Sequence, residues 1–196
     1  MIQLAAKSVL HTKTGDWEIR IYCEDEKLEH VALIKGDIET VKAPLVRVHS
    51  ECLTGDTLGS KHCDCGEQKE FALQKIYDEG SGIFLYMRQE GRGIGLANKI
   101  KAYEIQRAQK VDTVEANLLL GREIDERSYD STADILKNLG VTQIRLLTNN
   151  LEKKQGLEKS GIKVVEIVGA EVFPNEVNEK YLKTKKEKMG HLLNNV

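Results

Sequence analysis

The sequence predicts an α/β domain in three layers, with helices on both faces of a mixed β-sheet. Three observations carry that reading. The early part of the chain holds strands of period two with no helical segment between them. From residue 43 onward, apolar strands alternate with stretches of helical period. No Pro-, Gly- or Ser-rich linker and no low-complexity tract interrupts the 196 residues. Strands first, then alternating helix and strand, give an antiparallel portion joined to a parallel one covered on both sides. A single domain over residues 1–196 is the expectation.

In chain order, "DWEIRIYCE" sets Trp17, Ile19, Ile21 and Cys23 on one face and Glu18, Arg20 and Tyr22 on the other. That is a half-buried strand, with Cys23 packed inside as a small hydrophobe. "HVALIKGD" and "APLVRVHS" are two further strands. The period then changes: "EQKEFALQKIYDEG" brings Phe71, Ala72 and Ile76 together at helical spacing and stops at Gly80. "GIFLYMRQ" is a short apolar strand, followed by the glycine turn "EGRGIG" and a helix through "LANKIKAYEIQRAQK". "DSTADILKNLG" is a helix capped by Asp130 or Ser131 and ended by Gly140. "TQIRLLTNN" and "IKVVEIVG" are strands with the helix "EKKQGLEKSG" between them. A lysine-rich helix follows from Asn178.

Hydrophobic residues make up 40% of the chain and charged residues 31%, with a net charge of −2. Nothing in that balance draws the molecule to nucleic acid or an anionic membrane, so an anionic ligand must be held by a local basic site. The N-terminus lacks a signal-peptide pattern, and no run of roughly 18 apolar residues is present to span a bilayer. A cytoplasmic location is the expectation, and there clustered cysteines bind metal more often than they pair.

Three clusters carry chemistry. Cys52, Cys63 and Cys65 place three thiols in one segment, and with Cys23 in the core they are too few for a closed four-cysteine site. Three soft ligands leave a fourth tetrahedral position for water, the arrangement of catalytic zinc, which lowers the pKa of bound water to about 7. A structural site completed by His49 or His62 is the alternative. In "RQEGRGIGLANK" the glycine turn between strand and helix lets backbone N–H groups approach an anion. In the same loop, Glu90 offers a carboxylate for the donor pair of a guanine edge and Arg92 a guanidinium for phosphate. Asp125, Glu126 and Arg127 form a charged loop before the next helix.

Taken together, "RVHSECLTGD…KHCDCG", "RQEGRGIGLANKIKAY", "DTVEAN", "DER" and "LLTNN" resemble the GTP cyclohydrolase II family, in order and over about residues 40 to 195. The resemblance implies that Cys52, Cys63 and Cys65 bind one zinc, with water in the fourth place. It implies hydrolytic opening of the guanine ring with loss of C8 as formate, and cleavage of the α–β phosphate bond with Mg²⁺ on the phosphates. GTP-contacting positions carry over to Arg47, Val48, His49, Ser50, Glu51, Gln68, Glu90, Gly91, Arg92, Thr113, Thr148 and Lys153. Asp125 matches a proton acceptor and Tyr103 a tyrosine near the ring-opening site. Arg127 matches a position proposed as nucleophile. A guanidinium with a pKa above about 12 is better suited to stabilising phosphoryl charge. A stand-alone enzyme of riboflavin biosynthesis, forming a homodimer, is what the family leads one to expect. Relatives often carry proline after "LLTNN"; this chain has Leu151, which predicts a looser loop before Lys153.

Other classes fit less well. A nucleobase deaminase shares "HSE" but needs Cys-x-x-Cys where this chain has Cys-Asp-Cys. A zinc-stabilised nucleic-acid-binding module calls for a basic face and stacking aromatics, against a net charge of −2 and 5% aromatics. A GTP-binding relative that stops at the formylated intermediate is a further alternative, and Cys52, Cys63, Cys65, Tyr103, Asp125 and Arg127 argue against it.

Overall fold

A computed structural model describes residues 1–170, with 172, 174, 176, 178, 182–184 and 186 beyond them. Seven strands form one mixed sheet: β1 (Ile2–Thr12), β2 (Gly15–Glu24), β3 (Leu28–Lys35), β4 (Leu45–Ser50), β5 (Gly82–Met87), β6 (Gln143–Leu147) and β7 (Lys163–Val168). The order across the sheet is β1-β2-β3-β5-β4-β6-β7. Pairings from β1 to β5 are antiparallel and those from β5 through β4 and β6 to β7 are parallel, as the order of elements in the sequence predicts. Of the lysine-rich helix expected from Asn178, residues 182–184 and 186 are helical; its remaining positions lie outside the described residues.

The helices are α1 (Leu53–Asp56, a single turn), α2 (Cys65–Glu79), α3 (Leu96–Gln109), α4 (Thr113–Leu119), α5 (Asp130–Asn138) and α6 (Leu151–Lys159). On one sheet face, Ala72 and Ile76 of α2 pack against Leu45, Phe84, Leu147 and Trp17. On the other, Ala133, Ile135 and Leu136 of α5 and Leu157 of α6 pack against Val46, Val48, Ile83, Leu85, Ile144 and Leu146. Each of the valine, leucine, isoleucine and phenylalanine side chains among them, fully buried, contributes about 1.5–3 kcal/mol of transfer free energy. Gly80 ends α2 in the left-handed conformation, φ 78°, as its position predicts.

Three local expectations change. The cap of α5 is Tyr129 rather than Asp130 or Ser131; the Ser128 hydroxyl accepts the Asp130 N–H at 3.1 Å and takes the capping role one residue earlier. In β2, Tyr22 is fully buried and Cys23 only half-buried, the reverse of the expected faces. The reason is coverage: α5 roofs the Tyr22 face, where the phenol donates to Asn138 at 2.9 Å. On the Cys23 face α2 reaches only as far as Trp17. The loop before Lys153 is not loose: Leu151 opens α6, and the Asn150 side chain caps that helix by accepting the Glu152 N–H at 2.8 Å.

Candidate active site

An open cleft of about 1040 Å³, counting the solvent at its mouth, lies at the carboxyl ends of β4, β5 and β6. In open α/β sheets ligands bind at that edge, because the chain there leaves the sheet in loops free to take functional side chains.

Cys52 follows β4, α1 turns the chain back, Cys63 precedes α2 and Cys65 opens it. The ligand atoms of the three cysteines all lie within 4.8 Å of one another, and among the described residues no histidine or carboxylate joins them. Zinc–thiolate bonds of about 2.3 Å in a tetrahedron hold two sulfurs roughly 3.8 Å apart; Cys52 Sγ and Cys63 Sγ are separated by 3.6 Å. A Cβ on Gly55 would stand 2.7 Å from Cys63 Sγ and 3.2 Å from Cys52 Sγ, so the missing side chain makes room for the cluster. The cradle fits a thiolate-bound metal ion. Hydrogen bonds from Cys63 and Cys65 push the Cys52 thiol far below its usual pKa, and the contact with Cys52 pushes Cys63 up.

His49, the alternative fourth ligand, is committed elsewhere. Its ring stacks on Phe84 and Tyr86, with centroids 5.6 and 5.7 Å away, and Nε2 sits 3.0 Å from Asp56 Oδ1. Asp56 also accepts the Cys52 N–H at 2.9 Å and the Tyr86 hydroxyl at 2.9 Å, fixing the start of the metal loop. Burial lowers the pKa of His49 despite the Asp56 hydrogen bond, so the ring is neutral at pH 7. His62 stacks on Tyr103 at 5.4 Å.

A second cluster is cationic. Arg47 is buried, donating to the Leu147 carbonyl at 3.1 Å and to Gln68 Oε1 at 2.5 Å, while Gln68 donates in turn to Asp64. Arg127 grips Asp125 from its backbone N–H, Nε and a terminal nitrogen, and reaches Ser50 Oγ at 3.1 Å. Burial opposes the Arg127 charge, but the Asp125 hydrogen bonds outweigh it and raise the pKa further. The same pair holds the Asp125 carboxyl below its usual range, again against burial. Lys153 is 7% exposed and donates to the Val48 carbonyl at 2.7 Å. Burial, then the nearby Arg47 and Arg127, push its pKa well below the lysine value. Arg47, Arg127 and Lys153 thereby line one side of the cleft with basic groups, an arrangement suited to a polyanion.

The glycine loop closes the cleft. Gly91 and Arg92 both take left-handed backbone, with φ 62° and 61°; for arginine this conformation is costly and concentrates at functional sites. Glu90 already holds three donors: the Gly91 N–H at 2.9 Å and Lys99 Nζ at 2.9 Å on Oε1, and the Leu53 N–H at 2.7 Å on Oε2. Its carboxylate thereby braces the loop at the lining of the cleft.

Of the metal, catalytic and GTP-contacting positions that the family resemblance implies, all line the cleft except Val48 and Asp125; His62 and Glu126 also stand outside the lining. The Val48 side chain faces the core, and the residue contributes its carbonyl to Lys153; Asp125 stands behind Arg127. Sequence reasoning missed Lys99, Asn117, Asn149 and Asn150 in the lining, and Asp56 beneath it. It also missed α4, which carries Thr113 and Asn117 into the cleft. The signal was available: Asp112 and Glu115 form a capping box, the D-x-x-E start pattern.

A family model described as GTP cyclohydrolase II matches residues 3–169. The chain is 50% identical over 194 residues to a GTP cyclohydrolase-2 of Haemophilus influenzae, covering 98% of this chain and 89% of that one. It is 59% identical over 166 residues to riboflavin biosynthesis protein RibBA of Phocaeicola vulgatus, covering 85% of this chain and 41% of the relative. Against the RibBA of Parabacteroides distasonis the identity is 55% and the relative's coverage 42%, so the chain spans about two fifths of these two curated relatives. Among solved structures, a two-domain 3,4-dihydroxy-2-butanone 4-phosphate synthase, RibBX of A. baumannii, matches with a TM-score of 0.43 at 18% identity, over 75% of this chain and 34% of that one. The family match and the Haemophilus relative each span most of the chain, and with the cysteine cradle and cationic wall in one cleft they lead to one statement: the chain belongs to the GTP cyclohydrolase II family.

Proposed function

We propose that this protein hydrolyses GTP, releasing formate from C8 of guanine and pyrophosphate from the triphosphate. The product is 2,5-diamino-6-(5-phosphoribosylamino)pyrimidin-4(3H)-one, and the reaction is the first committed step of riboflavin biosynthesis. The observation that carries this reading is the presence in one cleft of two separate chemistries: a three-thiolate metal cradle and a cluster of buried cations.

The donor set favours zinc, held by Cys52, Cys63 and Cys65. Bound there, the ion would supply Lewis acidity and acidified water for hydrolysis at C8. The remaining work belongs to the chain's own groups. Tyr103, on α3 facing the cleft, orients or protonates the base fragment through its hydroxyl. Arg127, kept cationic and fixed in direction by Asp125, stabilises charge at the α-phosphate as the bond to pyrophosphate breaks. With its lowered pKa Asp125 is a weak base, so positioning Arg127 is the role its environment favours. Arg47 and Lys153 add positive charge at the same end. Mg²⁺ accompanies the substrate phosphates. Water is consumed at each bond broken: ring opening, deformylation and phosphate cleavage.

Among the described residues no helix is long and apolar enough to cross a membrane; a cytoplasmic location and a single-domain organisation belong to the same proposal. So does a homodimer, for which Ile19, Ile21 and Val31 form a half-buried apolar face that α2 leaves uncovered. Sedimentation at twice the chain mass is expected, and a monomer at tens of micromolar would overturn that part.

The functional test is direct. Zinc-loaded protein incubated with GTP and Mg²⁺ should release formate and pyrophosphate in equal amounts, detected by coupled assays. A fully metallated, folded protein that leaves GTP intact would refute the reading.

A further inference from the structure

Lys99 belongs to none of the roles given above, yet it touches both the metal cradle and the glycine loop. Its ammonium lies 3.0 Å from Cys52 Sγ and 2.9 Å from Glu90 Oε1, with the side chain 11% exposed and that of Glu90 10% exposed. The contacts close a ring. Cys52 meets Lys99, Lys99 meets Glu90, and Glu90 Oε2 accepts the N–H of Leu53, the residue after Cys52. Segments far apart in the chain are thereby tied at one point: the metal loop, the glycine loop and α3.

The electrostatics give the ring a purpose. Three thiolates around a dication leave a net charge of −1, and strong thiolate donation makes a metal a weaker Lewis acid than three neutral histidines would. A hydrogen bond to a ligand sulfur counters this by drawing electron density from it, and outer contacts of this kind orient the ligand as well. Lys99 is a cationic donor in direct contact with the Cys52 sulfur. Glu90 holds that donor in place, and its other oxygen is anchored on the metal loop itself.

We propose that Lys99 is a positioning residue of the metal centre: held by Glu90, its ammonium fixes the Cys52 sulfur in ligand geometry and weakens that sulfur's donation to the metal. This rests on the metal-binding part of the proposed function. Glu90 is then a brace between the two loops. The inference also accounts for the i, i+4 spacing of Lys99 and Tyr103 on α3, which turns both toward one end of the cleft.

Cobalt substitution tests this without reference to GTP turnover. In Lys99→Met the side chain keeps its length and loses its charge. The thiolate-to-cobalt charge-transfer band should move to lower energy, because a sulfur freed of its hydrogen bond is a better donor. Zn²⁺ affinity, read by chelator competition, should fall about 10–100-fold. Lys99→Arg should restore both readouts in part. Should Lys99→Met fail to fold by circular dichroism, Glu90→Gln carries the test, since it loosens the ammonium while keeping the volume, and a smaller shift in the same direction is expected. Wild-type band energy and wild-type Zn²⁺ affinity in the folded variant would overturn the proposal. If the wild-type protein binds metal but releases no formate, the functional reading falls while the cobalt spectra still decide the role of Lys99.

Discussion

Gly55 occupies ordinary helical backbone, so alanine there would be conformationally harmless were it not for the sulfurs 2.7 and 3.2 Å from its Cβ position. Gly55→Ala is therefore expected to act through the cradle alone, weakening Zn²⁺ binding by about tenfold or more, as loss of ligand geometry does. Metal analysis after dialysis checks this, and full zinc retention would count against the cradle. At the same scale, Tyr103→Phe keeps the ring that stacks on His62 and removes only the hydroxyl. Formate release should slow by about 10²–10⁴-fold, with pyrophosphate still formed and a formylated pyrimidine nucleotide accumulating, as mass spectrometry would reveal. Unchanged formate release would remove Tyr103 from the base chemistry. The three cysteines and the glycine loop were legible from spacing because they lie close together in the chain. Lys99 and Asp56 were not, because their meaning comes from contacts the spacing does not encode. Lys99 is 47 residues from Cys52, and Asp56 is 30 from Tyr86.

Among the elements, α6 contains a glycine with a clear assignment. A Cβ on Gly156 would meet the Tyr129 ring at 2.2 Å, and that ring lies 5.9 Å from the Arg127 guanidinium. In an open helix, Gly→Ala gains up to about 1 kcal/mol; here the overlap with a buried ring should reverse the sign and cost about 1–3 kcal/mol. Thermal denaturation of Gly156→Ala checks the sign, and a raised melting temperature would contradict the packing. Burial pushes the Tyr129 phenol up to about 12, so it stays protonated at neutral pH and the ring acts as a packing surface. Apart from α1 and α4, strand and helix identities from β2 to β7 were legible because their periods are clean. β1 was not: the register shifts between Leu4 and Ala6, which breaks the alternation. The inverted burial of Tyr22 and Cys23 escaped for another reason. Period two assigns residues to faces but does not say which face a later helix will cover, and α5 lies more than a hundred residues away in the chain.

On the scale of the whole molecule, the sheet sets a metal cradle and a cationic wall at one edge, and the proposed reaction assigns one end of the nucleotide to each. Antiparallel strands β1–β3 extend the sheet away from this edge, while the parallel strands β4, β5 and β6 end in it. The mixed topology was legible because strands precede the helix–strand alternation; the closeness of the two clusters rests on the parallel order β5-β4-β6, which no local pattern specifies. If the two ends are chemically separate, they must be separable by mutation. The most direct measurement is a time course of formate and pyrophosphate from GTP and Mg²⁺ with the Cys63→Ser protein, after circular dichroism has shown it folded and metal analysis has shown it free of zinc. Pyrophosphate should continue to appear while formate does not. Formate released at the wild-type rate without metal, or the loss of both products from a folded protein that still binds GTP, would contradict the division of the cleft into two ends.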